Sequence, residues 1–272
     1  MIVNYKEGGW EIITQRAHGL LAAQFGFRWK LEDRPERWIE TLLAIAEHDD
    51  AEVELEGENL LTNQGGPLNF TMKNFELEHC ERLSRFSITK SRYIALLTSM
   101  HMEFLYKKEE KTNEQVRKFL QGQRKLQVGW RSELQLEKET AEKIYSFLEW
   151  CDAFSLLICQ NEIQPEHRSI EISRGPYGNK YQLYQVDTNK LTIDPWPFEP
   201  FSFKVSFESR LISQLQFKDS AEFREAFHKA KVDETVWELV KSKIPVKTKK
   251  YNKTFKTTKA LFPTIDICLV TF

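Results

Sequence analysis

Apolar positions along the chain follow two rhythms. The first residues alternate: Met1-Ile-Val-Asn-Tyr5, a Lys-Glu-Gly-Gly turn and Trp10-Glu-Ile-Ile-Thr14 predict a β-hairpin. Helical spacing then takes over. Small and apolar residues fill Ala17 to Phe25, and from Pro35 to His48 a second helix is predicted on Trp38, Ile39, Leu42, Leu43, Ile45 and Ala46, with the proline suited to its first turn. Residues 73 to 87 and 91 to 106 predict two more, the latter with Tyr93, Leu96, Leu97, Met100 and Phe104 as its apolar stripe. A polar helix follows over 112 to 131, then a long one over 137 to 159 that buries Ile144, Phe147, Leu148, Cys151 and Leu156. Residues 51 to 70 break the series: they are acidic, then rich in Asn, Gly and Pro (Asn63-Gln-Gly-Gly-Pro67), which marks a long loop.

After Asn161 the period of two returns in Ile170-Glu-Ile172, Tyr181 to Val186, Leu191-Thr-Ile193 and Phe201 to Phe207, separated by Gly, Pro and Asn turns. A short helix over 218 to 230 and a strand-like Ile265 to Thr271 complete the reading. The expected fold is therefore mainly α: a helical bundle with an N-terminal β-hairpin and a small C-terminal antiparallel sheet, α+β in class. Residues 1–162 form the helical domain and 163–272 a small β-rich subdomain with a basic extension.

Composition narrows the class of partner. The formal net charge is -1 with 29 % charged residues, so no global field favours a polyanion or an acidic membrane. Nor does any apolar run approach the roughly 18 residues that span a bilayer. Cys80, Cys151, Cys159 and Cys268 lie far apart without a C-x-x-C pair, and Met1 to Tyr5 runs into a charged turn without a leader, so the expected compartment is the cytoplasm. Lysines crowd residues 241 to 259 beside Tyr251 and Phe255, a pattern compatible with nucleic acid, but a lysine-guarded solvated edge is the plainer reading and no nucleic-acid partner is expected. Asp194-Pro-Trp-Pro-Phe198 is too constrained for a central strand and reads as a rigid corner that packs two aromatics. Trp10 and Trp150 read as core residues.

The chemistry concentrates in the histidines. Of six, four (His18, His48, His79 and His101) fall in the first 101 residues, each on or at the end of a predicted helix, and Asp49 and Asp50 follow His48 directly. Imidazole and carboxylate suit divalent metals, and ligands on neighbouring helices can converge on a rigid backbone. Adjacent helical residues point about 100° apart, so His48 and Asp49 share a metal only if the helix ends there. Asp152 sits among aromatic and aliphatic neighbours, where a free charge is costly and a metal would offset that cost.

The order His18, His48-Asp49, His79, His101, Asp152 resembles the ligand string of the HD superfamily of helical metal-dependent phosphohydrolases. The chain is also similar to a bacterial family known as domain of unknown function 3891. Ile13 to Leu20, Glu47-His-Asp-Asp50, Leu97 to Tyr106, Trp150 to Ser155 and Asp194 to Phe198 carry that likeness, which spans roughly residues 1 to 230. The HD resemblance implies one or two divalent ions (Fe, Mn, Ni, Mg or Zn) on His18, His48, Asp49, His79, His101 and Asp152. It also implies hydrolysis of a small phosphorylated substrate. Asp49 and Asp50 are candidate catalytic carboxylates, Arg16 a phosphate-binding cation with Lys107 as a second candidate, and Glu78 a group that could orient an imidazole. Two rivals use the same ligands: the di-iron oxygenases of the HD type, and a non-catalytic module that binds a metal or nucleotide. The chain carries neither a G-x-x-x-x-G-K-[ST] phosphate loop nor a G-x-S-x-G elbow.

Overall fold

Side-chain caps and apolar spacing explain where the helices begin. The computed structural model describes residues 1–50 and 55–242. The Thr14 hydroxyl accepts from the Ala17 amide and opens α1 (Gln15–Phe27), whose buried His18, Leu21, Ala22 and Phe25 form one stripe. Helices α2 (Trp38–Ala46) and α3 (Leu77–Lys90) follow. Ser91 caps α4 (Arg92–Tyr106) and Asn113 caps α5 (Glu114–Glu133). The longest helix, α6 (Lys138–Cys159), buries Trp150, Asp152 and Phe154 among others. Asp219 caps α7 (Ser220–Lys229).

The strands are β1 (Ile2–Lys6), β2 (Gly9–Ile13), β3 (Ser169–Arg174), β4 (Lys180–Asp187), β5 (Lys190–Asp194), β6 (Ser202–Ile212) and β7 (Val232–Val240). They form one seven-stranded sheet in the order β1-β2-β6-β7-β5-β4-β3. It is mixed, because β5 runs parallel to β7 at Lys190–Leu191 while the other pairs are antiparallel.

This corrects the expected mainly helical, HD-like bundle with a small C-terminal antiparallel sheet. The fold is α+β, with seven α-helices among the described residues and a sheet that draws on both ends of those residues. The physical reason lies in strand edges. An isolated hairpin is marginal and leaves a row of unpaired backbone groups, and here Trp10–Ile12 of β2 satisfies that row against Arg210–Ile212 of β6. The strand-like 265–271 stretch and the lysines from Lys243 onward lie outside the described residues.

The main core fills the space between the sheet and helices α1 and α6. Phe25 stacks on Phe154 with ring centroids 4.1 Å apart, and Trp29 packs edge-on against Trp150 at 4.9 Å. Each such buried aromatic or aliphatic side chain contributes on the order of 1.5–3 kcal/mol. The Asp194–Phe198 corner supplies Phe198, whose ring meets both tryptophans. A second cluster (Ile12, Phe217, Phe223, Phe227) seats α7, and a third (Cys80, Leu83, Met102) joins α3 to α4. The Tyr93 hydroxyl on α4 donates to Thr41 on α2 at 2.8 Å, since the Thr41 proton is spent on the Arg37 carbonyl. That tether fixes α2 beside α4.

Candidate metal centre

Three helices and one turn bring the polar groups together. His18 lies in the first turn of α1, His101 on α4 and Asp152 on α6. Because α2 ends at Ala46, His48 and Asp49 occupy the turn beyond it, free of the 100° helical offset. Three imidazoles are fully buried, at 0 % exposure for His18 and 1 % for His48 and His101. Asp49 keeps 26 % of its side chain exposed, so the cluster opens to solvent on that side.

The contacts are close. His18 Nε2 stands 3.1 Å from His48 Nε2, and Asp152 lies 3.5 Å from the former and 3.3 Å from the latter. Oδ2 of Asp49 faces His48 at 3.6 Å and His18 at 3.9 Å, while its Oδ1 faces His101 at 3.8 Å. His18, His48 and Asp152 form one set of potential ligands, and His48, Asp49 and His101 another, with the ligand atoms of each set within 4.8 Å of one another.

Hydrogen bonds on the far side of the rings decide the tautomers. The His48 Nδ1 donates to the Ile45 carbonyl at 2.7 Å, since a carbonyl can only accept. Ser155 spends its proton on the Asp152 carbonyl, so its oxygen accepts from His18 Nδ1 at 2.6 Å. Both Nε2 atoms therefore present lone pairs to each other across 3.1 Å. That arrangement is repulsive without a cation between or beside them, and orienting partners of this kind are what metal-bound histidines use. The donor set, three imidazole nitrogens and two carboxylates, fits a borderline divalent ion.

Without a metal, a proton takes that place. Burial and then the charge on His48 lower the His18 pKa to about 4. For His48, burial lowers the value but the carboxylates of Asp49 and Asp152 outweigh it and raise the pKa to about 10. Burial likewise lowers His101, and both aspartates titrate below their usual range because the histidine charges outweigh burial. A metal must therefore displace the His48 proton at neutral pH. We expect apparent metal affinity to rise about tenfold per pH unit between pH 6 and 9, with a steeper slope once His18 also protonates on the acid side. Competition with a chromophoric chelator on metal-free protein measures this, and a flat profile contradicts it.

The remaining candidates lie around the cluster. Arg16 donates Nε to Asp50 at 2.7 Å and Nη2 to the same oxygen, so these two pair with each other beside Asp49. His79 on α3 belongs to neither ligand set; with Gln15, Arg16, Asp49 and Lys73 it lines a cavity of about 60 Å³. Glu78 faces solvent and pairs with Arg82, and Lys107 caps α4. Sequence reasoning missed three supporting residues. Gln15 donates to Asp49 at 3.0 Å, Ser155 orients His18, and the Tyr145 hydroxyl stands 3.4 Å from His101 Nδ1. Ser155 follows Asp152 by three residues, one helical turn, which was a usable signal.

The family described as protein of unknown function (DUF3891) matches residues 1–214. The chain belongs to this family. The match includes all five clustered residues and stops short of α7 and β7. No curated protein and no solved structure matches the chain, and nothing in these comparisons ties the DUF3891 family to the HD superfamily.

Proposed function

We propose that this DUF3891 protein is a metal-dependent phosphohydrolase acting on a small phosphomonoester or phosphodiester. One observation carries the reading: buried, tautomer-locked imidazoles and two carboxylates converge on a point that opens, past Asp49, into a cavity bordered by Arg16 and Lys73. His18, His48 and Asp152 would hold one ion. His48 has a single lone pair left, so it would serve that ion alone, while the two oxygens of Asp49 face both halves of the cluster, His48 on one side and His101 on the other. A divalent cation there supplies a Lewis acid and brings the pKa of a bound water towards neutrality.

The protein's own groups do the rest. Arg16, steadied by Asp50 through Nε and Nη2, and Lys73 meet the phosphoryl oxygens, Arg16 with the guanidinium hydrogens that Asp50 leaves open. Gln15 fixes the Asp49 carboxylate. The test is metal-stripped protein reloaded with Mn, Ni, Mg, Fe or Zn and assayed on phosphomonoesters and cyclic nucleotides with and without oxygen. We expect oxygen-independent phosphate release with at least one metal. It should fall on the order of 10³-fold or more in the His48→Ala, Asp49→Ala variant, as losing several kcal/mol of charge stabilisation requires. Turnover that needs oxygen, or none across the panel, overturns the reading.

A further inference from the structure

A second cavity, of about 520 Å³, lies where three distant parts of the chain meet: residues 32–37 before α2, the turn between α5 and α6, and the tip of the β3–β4 hairpin. That volume falls in the range of small-ligand sites, about 300–1,000 Å³. It is remote from the metal centre. Tyr93 precedes His101 by eight residues on α4, and Ile144 precedes Asp152 by eight on α6, so both helices separate the two places by about 12 Å.

The floor is apolar, made by the buried Tyr93, Ile144 and Phe147. Three cations line the walls, each set against an aromatic face. The Arg34 guanidinium carbon lies 4.6 Å from the Trp38 ring centroid, that of Arg37 5.6 Å from Tyr93, and Lys143 Nζ 3.9 Å from Tyr177. Arg34 is further fixed, donating Nε to the Trp29 carbonyl at 3.0 Å and Nη2 to the Phe27 carbonyl at 2.8 Å, and Arg37 is held by Glu40 at 2.8 Å, which offsets its charge. The Tyr177 hydroxyl donates to Asp33 and so latches the hairpin tip over the cavity. These cations are ordered before any ligand arrives, which lowers the entropic cost of binding.

Charge decides the ligand. Glu32, Asp33, Glu36 and Glu137 share the rim with the cations. A pure anion meets four carboxylates and a pure cation meets three positive groups, so a ligand with one charge of each sign is the one matched on both sides. We infer that this cavity binds a small zwitterion of the amino-acid class, its carboxylate on Arg34 and Lys143, its ammonium on the glutamates and its apolar side chain on the floor.

The full chain is titrated calorimetrically with the standard amino acids, and the best binder is compared with its deaminated and decarboxylated analogues; for phenylalanine these are 3-phenylpropionate and phenethylamine. We expect saturable binding that weakens about tenfold or more when either charge is removed, as the loss of a charge-assisted hydrogen bond requires. The same loss is expected in Lys143→Ala and in Glu137→Gln, with circular dichroism and metal content unchanged. Binding by no amino acid up to about 10 mM, equal binding of a singly charged analogue, or full affinity in both folded variants overturns the proposal.

Discussion

Replacing His48 and Asp49 together by alanine should strip the chain of its metal, so that elemental analysis of the purified variant reads near zero where the unsubstituted protein retains its ion. The two residues tie the centre together: the one open nitrogen of His48 lies within reach of both ligand sets, and Asp49 links them through its two oxygens. What remains is His18 with Asp152 on one side and His101 on the other, too few donors for a closed site. Stability follows by linkage, because an ion that binds only the folded chain adds about 2.7–4.1 kcal/mol at 100 to 1,000 times its dissociation constant. At roughly 2–4 °C per kcal/mol for a chain of this size, chelation should lower the melting temperature of the unsubstituted protein by about 6–15 °C. The double variant should melt at the same temperature with or without chelator. Full metal content in that variant, or a chelator that leaves the unsubstituted protein unchanged, ends the assignment of a metal centre at this position.

The cluster was visible in the sequence because its residues are chemically distinctive and sit at predicted helix positions. His18 stands behind the Thr14 cap, and the acidic stretch after His48 announced the end of α2. The supporting shell was harder to see. Gln15 and Tyr145 are ordinary helix residues whose roles arise from how α1 and α6 are rotated towards Asp49 and His101, a tertiary property without local signature. Arg16 and Asp50 were each assigned separately, whereas the fold sets them against each other.

The sheet was misjudged for a related reason. Period-two patterning marks strands one at a time and says nothing of partners, and the pairing of β2 with β6 joins residues some 200 positions apart. Strand β7 (Val-Asp-Glu-Thr-Val-Trp-Glu-Leu-Val) carries acidic residues and only Leu239 is buried, so it lacked the clean apolar alternation that identifies a strand. Its place between β6 and β5 connects β1-β2-β6 to β5-β4-β3, and its parallel pairing with β5 makes the sheet mixed.

Gly19→Ala should loosen the centre without touching a ligand. A Cβ at residue 19 would fall 2.4 Å from the Ala46 carbonyl oxygen, a backbone atom at the end of α2 that has no rotamer to escape into. In an exposed helix the same change would gain about 1 kcal/mol of propensity. Here overpacking opposes it, at about 1–3 kcal/mol or more, and the rigid neighbour puts this site at the upper end, so the net effect is destabilising. Relief requires α1 to move off α2, and the residue before Gly19 is His18 while the second after Ala46 is His48. The 3.1 Å approach of their Nε2 atoms must then lengthen, and metal affinity should drop at least about tenfold, the scale on which disturbed ligand orientation acts. Gly26→Ala is the control: its Cβ would meet the tips of Leu42 and Ile45 at 3.1 and 3.2 Å, side chains that can yield. That variant should bind metal nearly as the unsubstituted chain does. Equal affinity and equal melting temperature in Gly19→Ala would mean that the contact between α1 and α2 does not set the spacing of the two imidazoles.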